Sequence, residues 1–417
     1  VKPAIPAFSG FGIELEYMIV DRDTLAVLPI ADRLLQVLAG RQISEVECGR
    51  LAWSNELALH VIELKNTDPE ADLESLPALF QSEVSRINGL LETMNARLMP
   101  TAMHPWMNPR IETRLWPHDH AEIYRSYDRI FDCKRHGWSN LQSMHLNLPF
   151  AGDTEFARLH AAIRLILPIL PALAASSPIA EGRFSGFLDF RMENYRTHQM
   201  TVPSSMGQVI PDTILDSESY RQQILLPMYR EIEAYDPDGV LQQEWLNVRA
   251  AVARFVRHAI EIRIIDVQEC PYANLAIAEI VIHVVRALYQ QETASLIEQQ
   301  AFGTDRLVTI LHSCIEQADQ AIIADHGYLA LLGFPSAQCT AGELWQHLFT
   351  SLLPPQVQQS SVWREAFTVL LQQGPLARRI LRAINQDFSH ARLTAVYREL
   401  CDCLNEGRLF SGTLESA

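Results

Sequence analysis

Apolar and polar residues alternate in the first clearly patterned stretch of the chain. In FGIELEYMIV, Phe11, Ile13, Leu15, Tyr17 and Ile19 form one row while Glu14 and Glu16 fall in the other, the pattern of a β-strand with one buried face. Segments around Val61, Leu146 and Ile262 read the same way, so four strands are predicted. Between them the spacing becomes helical, in ADLESLPALFQSEVSRINGLLETMNARL (71–98) and in TEFARLHAAIRLILPIL (154–170). The second helix is expected to end near Pro168 and Pro171, whose rings and missing N–H groups oppose continuation. Strands and helices therefore mix without strict βαβ order. From about Asn274 onward the pattern is almost wholly helical, and ANLAIAEIVIHVVRALYQQ (273–291) is apolar around most of its circumference, as a core helix should be. Turns at LGFPSAQ, LLPPQ and QQGP divide the last hundred residues into helical blocks. The chain reads as one domain, 1–417, with 301–417 a helical C-terminal layer or small subdomain. No repeat or low-complexity tract interrupts it. The loop-rich stretch 176–211 has the length and composition of a functional loop.

Composition supports an ordinary folded chain of 417 residues, 48% hydrophobic and 20% charged. Fifty acidic against 34 basic side chains leave a formal charge of −16, a field that disfavours nucleic acid and anionic membrane surfaces as partners. The seven cysteines are odd in number and scattered, with no CxxC pair, so reduced thiols are expected. No uninterrupted apolar run approaches the roughly 20 residues of a membrane span, and the opening VKPAIPAFSG lacks the basic-then-apolar order of a signal peptide. A cytoplasmic protein is the expectation.

The alternation also places charge. Glu14 and Glu16, two apart on a strand, project from the same face. At about 4 Å and an effective dielectric near 20, their repulsion is on the order of 4 kcal/mol, which calls for a bound cation, a shared proton or solvent. The run NELALHVIELKN adds Glu56 and Glu63, and AIEIRIID adds Glu261 and Arg263 on one face. Oxygen donors collected from several strands suit a hard cation such as Mg²⁺. Glu56 and Glu63 differ in strand parity, so they share a site only if Glu56 precedes the strand or a bulge intervenes. In NLQSMHLNLPF, Ser143, His145 and Asn147 make a polar stripe opposite Met144, Leu146 and Leu148, which makes His145 a candidate ligand. His60 and His104 are better read as structural. Arg191 and Arg196, after the loop ASSPIAEGRFSG, are forks suited to phosphate or carboxylate. No GxxxxGK[ST] loop, GxGxxG fingerprint, GxSxG elbow or HExxH helix is present, which leaves a carboxylate-rich metal site.

Taken in order, these segments resemble the glutamate–cysteine ligase family, in particular its bacterial second group of carboxylate–amine ligases. The resemblance runs from about Phe11 to Pro271, through FGIELEYMIVD, NELALHVIELKN, TAMHP, NLQSMHLNLPF, ALAASSPIAEGRFSGFLDFRM and WLNVRAAVARFVRHAIEIRIIDVQECP. It implies an α+β fold of the glutamine synthetase kind, a curved, mainly antiparallel sheet with helices packed on its outer face. It implies Glu14, Glu16, Glu56, Glu63, His145 and Glu261 as ligands of Mg²⁺, or of Mn²⁺ in its place. Arg191 and Arg263 would hold substrate carboxylate or ATP phosphates, with Gln142 lining the same pocket. The implied reaction joins a carboxylate, as its acyl phosphate, to an amine at the expense of ATP. L-glutamate would be the donor and cysteine or another small amine the acceptor, as in the first step of glutathione biosynthesis; a homo-oligomer is compatible. One departure is Asn147, where that group often has a second histidine. Two other readings of the residues stay open: a metal-dependent hydrolase using the same carboxylates, and a non-catalytic nucleotide- or metal-binding relative. Replacing Glu16 or Glu261 by Gln is expected to abolish turnover with the fold intact.

Overall fold

The computed structural model describes residues 3–414. Its centre is an eight-stranded sheet in which every recorded pairing is antiparallel. The strands are β1 (Gly12–Asp21), β2 (Glu45–Cys48), β3 (Leu51–Asn55), β4 (Val61–Asn66), β5 (Ala96–Met99) and β6 (Ser143–Pro149). A short hairpin, β7 (Ile179–Ala180) with β8 (Arg183–Phe184), lies apart, and β9 (Ala251–Arg254) and β10 (Ala259–Asp266) complete the sheet. The order across it is β2-β3-β4-β1-β6-β10-β9, with β5 pairing the far half of β1 beyond β6. The four strands predicted from alternation are thus β1, β4, β6 and β10, the central ones.

Register explains why one face is dry. Leu15 pairs with Leu64 on one side and Met144 on the other, Ile13 with Leu146, and Ile262 with Leu146. Ile13, Leu15, Leu64, Leu146 and Ile262 are all fully buried in one core, and each contributes roughly 1.5–3 kcal/mol of hydrophobic transfer free energy. The same core takes in the helices Leu76–Glu92, Gly152–Ile166 and Pro271–Tyr289. The first is shorter than the predicted 71–98, because Arg97 and Leu98 belong to β5. At Pro168 the second passes into a 3₁₀ turn and then a further helix, Leu170–Ala174. Contrary to the sequence expectation, two stretches do reach the length and hydropathy of a membrane span, Gly152–Ala174 and Pro271–Tyr289. Their most apolar windows are 94% and 72% buried inside the protein, as core helices.

The segment after Asn274 is helical apart from a two-stranded piece, Ile322–Ile323 with Cys339–Thr340. The predicted turns fall between the helices His326–Leu331, Ala341–Leu352, Arg364–Gln373 and Leu376–Ile384. The last helices, Leu376–Ile384 and His390–Glu406, share a second core with Met18, Val20 and Met99 at the far end of β1 and β5. Arg379 and Glu269, both fully buried, form an ion pair there. All seven cysteines are unpaired.

Candidate active site

The face of the sheet opposite the core carries the charge. Residues directly opposite in an antiparallel ladder point to the same side. Glu16 pairs with Glu63, and Glu14 with Lys65 on one flank and His145 on the other. Glu63 in turn faces Ser54, and Glu261 faces Asn147. Glu56 lies after the end of β3 and before β4, so it precedes the strand and the parity difference is no obstacle. Two groups of ligand atoms result, Glu14 with Glu63 and His145, and Glu16 with Glu56 and Glu63, each with its atoms within 4.8 Å of one another. Glu63 belongs to both.

His145 is the hinge of this cluster. Its Nδ1 lies 3.1 Å from Glu14 Oε2, and its Nε2 lies 2.9 Å from Ser143 Oγ and 3.7 Å from Glu16 Oε1. The Ser143 N–H donates to Glu16 at 2.6 Å, and Asn147 Nδ2 donates to Glu14 at 3.0 Å. Asn147 therefore steadies a cluster carboxylate. Burial works against an imidazolium, but the Glu14 hydrogen bond and the charges of Glu16, Glu14 and Glu261 outweigh it and raise His145 to about 9. Burial likewise opposes ionisation of Glu14, yet His145, with Lys65 and Arg257, holds that carboxyl well below the usual range. Glu56 and Glu63 go the other way. Burial, then the charges of Glu63 and Glu16, push Glu56 far up, and burial with Glu14 raises Glu63 even though Lys65 is 2.9 Å away. Without a cation, these carboxylates cannot all stay ionised.

Glu261 stands apart from both groups. Its two oxygens are taken by Arg263, 2.7 Å away, and Arg254, 3.0 Å away. It holds arginines in place, and its pKa is lowered by Arg263 and Arg254 against the opposing effect of burial. The β-bulge between Ile262 and Ile265 falls at Arg263, whose side chain reaches the cavity described below. Arg191 is buried on the helix Phe190–Tyr195, its Nε 2.5 Å from Asp266 Oδ1 and its Nη2 without a partner. Asp266 also accepts from the Ser176 N–H at 2.8 Å and from Ser177 Oγ at 3.0 Å. The end of β10 thus fixes both Arg191 and the Ser-Pro loop.

Other candidates fall away from the site. Gln142 is fully buried and does not line the cavity, whereas its neighbours Leu141 and Ser143 do. This corrects its expected place. Arg196 pairs with Glu193 on its own helical turn at 2.6 Å. His60 and His104 are buried and bonded to the carbonyls of Ser139 and Leu25 at 2.7 and 2.8 Å, the structural role expected of them. Two contributors were not singled out beforehand. Lys65 shares the parity of Glu63, a signal the alternation does carry. Tyr195 lies four residues beyond Arg191 on one helix, a relation visible only once that helix is known.

Two cavities open on the acidic face. The smaller, about 250 Å³, is lined by Glu16, Glu56, His145, Arg191 and Arg263 together with several aromatic rings. The larger, about 730 Å³, is lined by Glu14, Lys65, Asn147 and Arg257 among others. The carboxylate–imidazole cluster contributes to both.

An antiparallel sheet with helices on one face and gathered carboxylates on the other defines the glutamine synthetase-like α+β ligase fold. The chain superposes on glutamate–cysteine ligase from Francisella tularensis, solved in complex with AMP, with a TM-score of 0.61 at 15% identity, covering 97% of this chain and 94% of that one. A bifunctional glutathione synthetase from Pasteurella multocida gives 0.58 at 15% identity, over 96% of this chain and 53% of that one. At such identities the likeness is one of fold. In sequence, the chain belongs to glutamate-cysteine ligase family 2, whose profile matches residues 10–321, a family of ATP-dependent carboxylate–amine ligases. An uncharacterized protein of Archaeoglobus fulgidus is 36% identical over 319 residues, 74% of this chain and 84% of its own length. A Rubrobacter xylanophilus protein named "Putative glutamate--cysteine ligase 2-3" is 28% identical over 176 residues, 41% of this chain and 44% of its own.

Proposed function

We propose that the protein activates the γ-carboxylate of L-glutamate with ATP and joins it to an amine, cysteine or another small one, as a γ-glutamyl amide. The observation that carries this reading is the cluster of Glu14, Glu16, Glu56, Glu63 and His145 set between two cavities. Its donors are carboxylate oxygens and one imidazole, the set a hard divalent ion takes. The raised Glu56 and Glu63 carboxyls fit a site built to hold positive charge. Glu14, Glu63 and His145 would hold one Mg²⁺ or Mn²⁺, and Glu16, Glu56 and Glu63 a second. When bound, such ions neutralise and orient the phosphates of ATP.

The chain's own residues supply the remainder. A nucleoside triphosphate needs the room of the larger cavity, where Lys65 and Arg257 meet its charge. The donor carboxylate then lies in the smaller one. Arg191, held by Asp266, presents its unpaired Nη2 to the donor's α-carboxylate. Arg263, kept cationic by Glu261, meets the charge that develops on the transferring phosphoryl group. A γ-carboxylate oxygen displaces ADP from the γ-phosphorus. The amine nitrogen then bonds to the acyl carbon, the carbon–oxygen bond to phosphate breaks, and the amine's proton leaves to solvent. ATP supply and a reduced acceptor point to the cytoplasm.

The test is ADP release with purified protein, Mg²⁺, ATP, glutamate and a panel of amines. The reading expects ADP and γ-glutamyl amide in equal amounts, only when donor and acceptor are both present. Turnover of one substrate with water would instead indicate a hydrolase. ATP binding without any turnover would indicate a non-catalytic relative.

A further inference from the structure

The smaller cavity has one place for a carboxylate and a wall unsuited to a second. Of its basic side chains, His145 is enclosed by Glu14 and Glu16, and His198 gives its Nδ1 to the Tyr195 carbonyl. Arg263 is bound through Glu261. Arg191 remains, with an unpaired Nη2, and on the same helix the Tyr195 hydroxyl is buried without a partner. Gln199, which also lines the cavity, has an unpaired Nε2. These free donors make up a single anion site, the one the ligase reading gives to the donor's α-carboxylate.

Much of the remaining lining is aromatic. Tyr127 packs between Trp138 and Trp245, with ring centroids 5.0 and 5.7 Å away. The polar edges of this wall are already engaged. Trp138 Nε1 donates to the His198 carbonyl at 3.1 Å, the Tyr127 hydroxyl donates to the Trp245 carbonyl at 3.5 Å, and the Tyr124 hydroxyl accepts from Asn55 at 3.0 Å. A second carboxylate in the cavity would lose its hydration with no partner to replace it, a costly transfer. An apolar or aromatic substituent would be covered on several sides.

We infer that the acceptor is a primary amine bearing an apolar or aromatic substituent and no carboxylate, seated against the Tyr127–Trp138–Trp245 wall. This rests on the ligase reading and narrows it, since cysteine itself would carry its carboxylate onto that wall. The chemistry is unchanged: the nitrogen bonds to the acyl carbon, phosphate departs with the electron pair of the broken bond, and one proton goes to solvent.

Matched pairs that differ only in the carboxylate test it: cysteamine against cysteine, and 2-phenylethylamine against phenylalanine. Each is assayed with the full-length protein, Mg²⁺, ATP and glutamate. Hydroxylamine, which traps an acyl phosphate as its hydroxamate without needing the acceptor wall, is run in parallel. The expected result is a kcat/KM at least about tenfold higher for each amine than for its amino acid, the discrimination expected from an unpaired buried group. Trp245→Ala is expected to raise KM for 2-phenylethylamine about tenfold, the loss of an aromatic contact of roughly 1.4 kcal/mol. Equal or better use of the amino acid in either pair, or an unchanged KM in Trp245→Ala, would overturn the inference while hydroxamate formation leaves the ligase reading standing. Failure to form glutamyl hydroxamate would remove the ligase reading and this inference together.

Discussion

His145 and the glutamates around it are set against one another, and that opposition has measurable consequences. The imidazole is raised to about 9 by its carboxylate neighbours against the effect of burial. In the metal-free protein it therefore contributes stability that is full below its unfolded value of about 6.5 and is lost as pH rises towards 9. A metal ion must displace this proton. Affinity for Mn²⁺ is accordingly expected to climb between pH 7 and 9, by up to about tenfold per unit for each proton released, and calorimetry in buffers of different ionisation enthalpy counts those protons. A flat affinity over this range would remove His145 from the ligand set. Glu56 behaves in the opposite sense, since burial and the charges of Glu63 and Glu16 push it up. Glu56→Gln should stabilise the metal-free protein, by on the order of 1–4 kcal/mol of relieved repulsion, and weaken the rise in Tm on adding the ion. Glu16→Gln is expected to abolish turnover with the fold intact. For Glu261 the structure changes the expectation. Its carboxylate is paired with Arg263 and Arg254, so Glu261→Gln leaves buried cations uncompensated. It should cost about 3–5 kcal/mol of stability as well as activity, read by urea denaturation.

β1, β4, β6 and β10 were legible in the sequence because each has one face in the core and one in the site, which writes the period of two into the residues. β3 was not, since Leu51 to Ser54 are buried on both faces and the alternation vanishes. The four-residue strands β2, β5 and β9 are too short to show a period. The site divides in the same way. Glu14, Glu16 and His145 follow from parity, whereas the Asp266 link from Arg191 to Ser176 and Ser177 joins positions 75 to 90 residues apart, a relation that no local pattern encodes. The same holds for Arg379 and Glu269, 110 residues apart. Their pairing fastens the helix Leu376–Ile384 to the segment after β10. Arg379→Met should cost about 3–5 kcal/mol by stranding Glu269, and pairing it with Glu269→Leu should recover much of that loss. A double-mutant cycle by chemical denaturation measures both, and an unaltered stability in the single variant would contradict the account.

Taken whole, the molecule spreads its core over both the sheet and the C-terminal helices, and we propose that it unfolds as one cooperative unit. Four buried histidines away from the metal cluster set its acid limit. Burial holds His60, His104 and His198 down to about 4 and His160 to about 3. Below about pH 6.5 the unfolded chain takes up protons that the folded one refuses, so stability falls as pH drops from 6.5 towards 4, by at most about 1.4 kcal/mol per unit for each group. Unfolding midpoints followed across that window should show the decline, and constant midpoints would contradict it. The central claim concerns the acidic face, which we read as holding ATP and a donor carboxylate together for phosphoryl transfer. Glutamate labelled with ¹⁸O in its γ-carboxylate tests this most directly. If an acyl phosphate forms and an amine displaces the phosphate, one labelled oxygen passes into each inorganic phosphate released, and mass spectrometry or phosphorus NMR detects it. Phosphate released without label, or released equally well when glutamate is left out, would contradict the account.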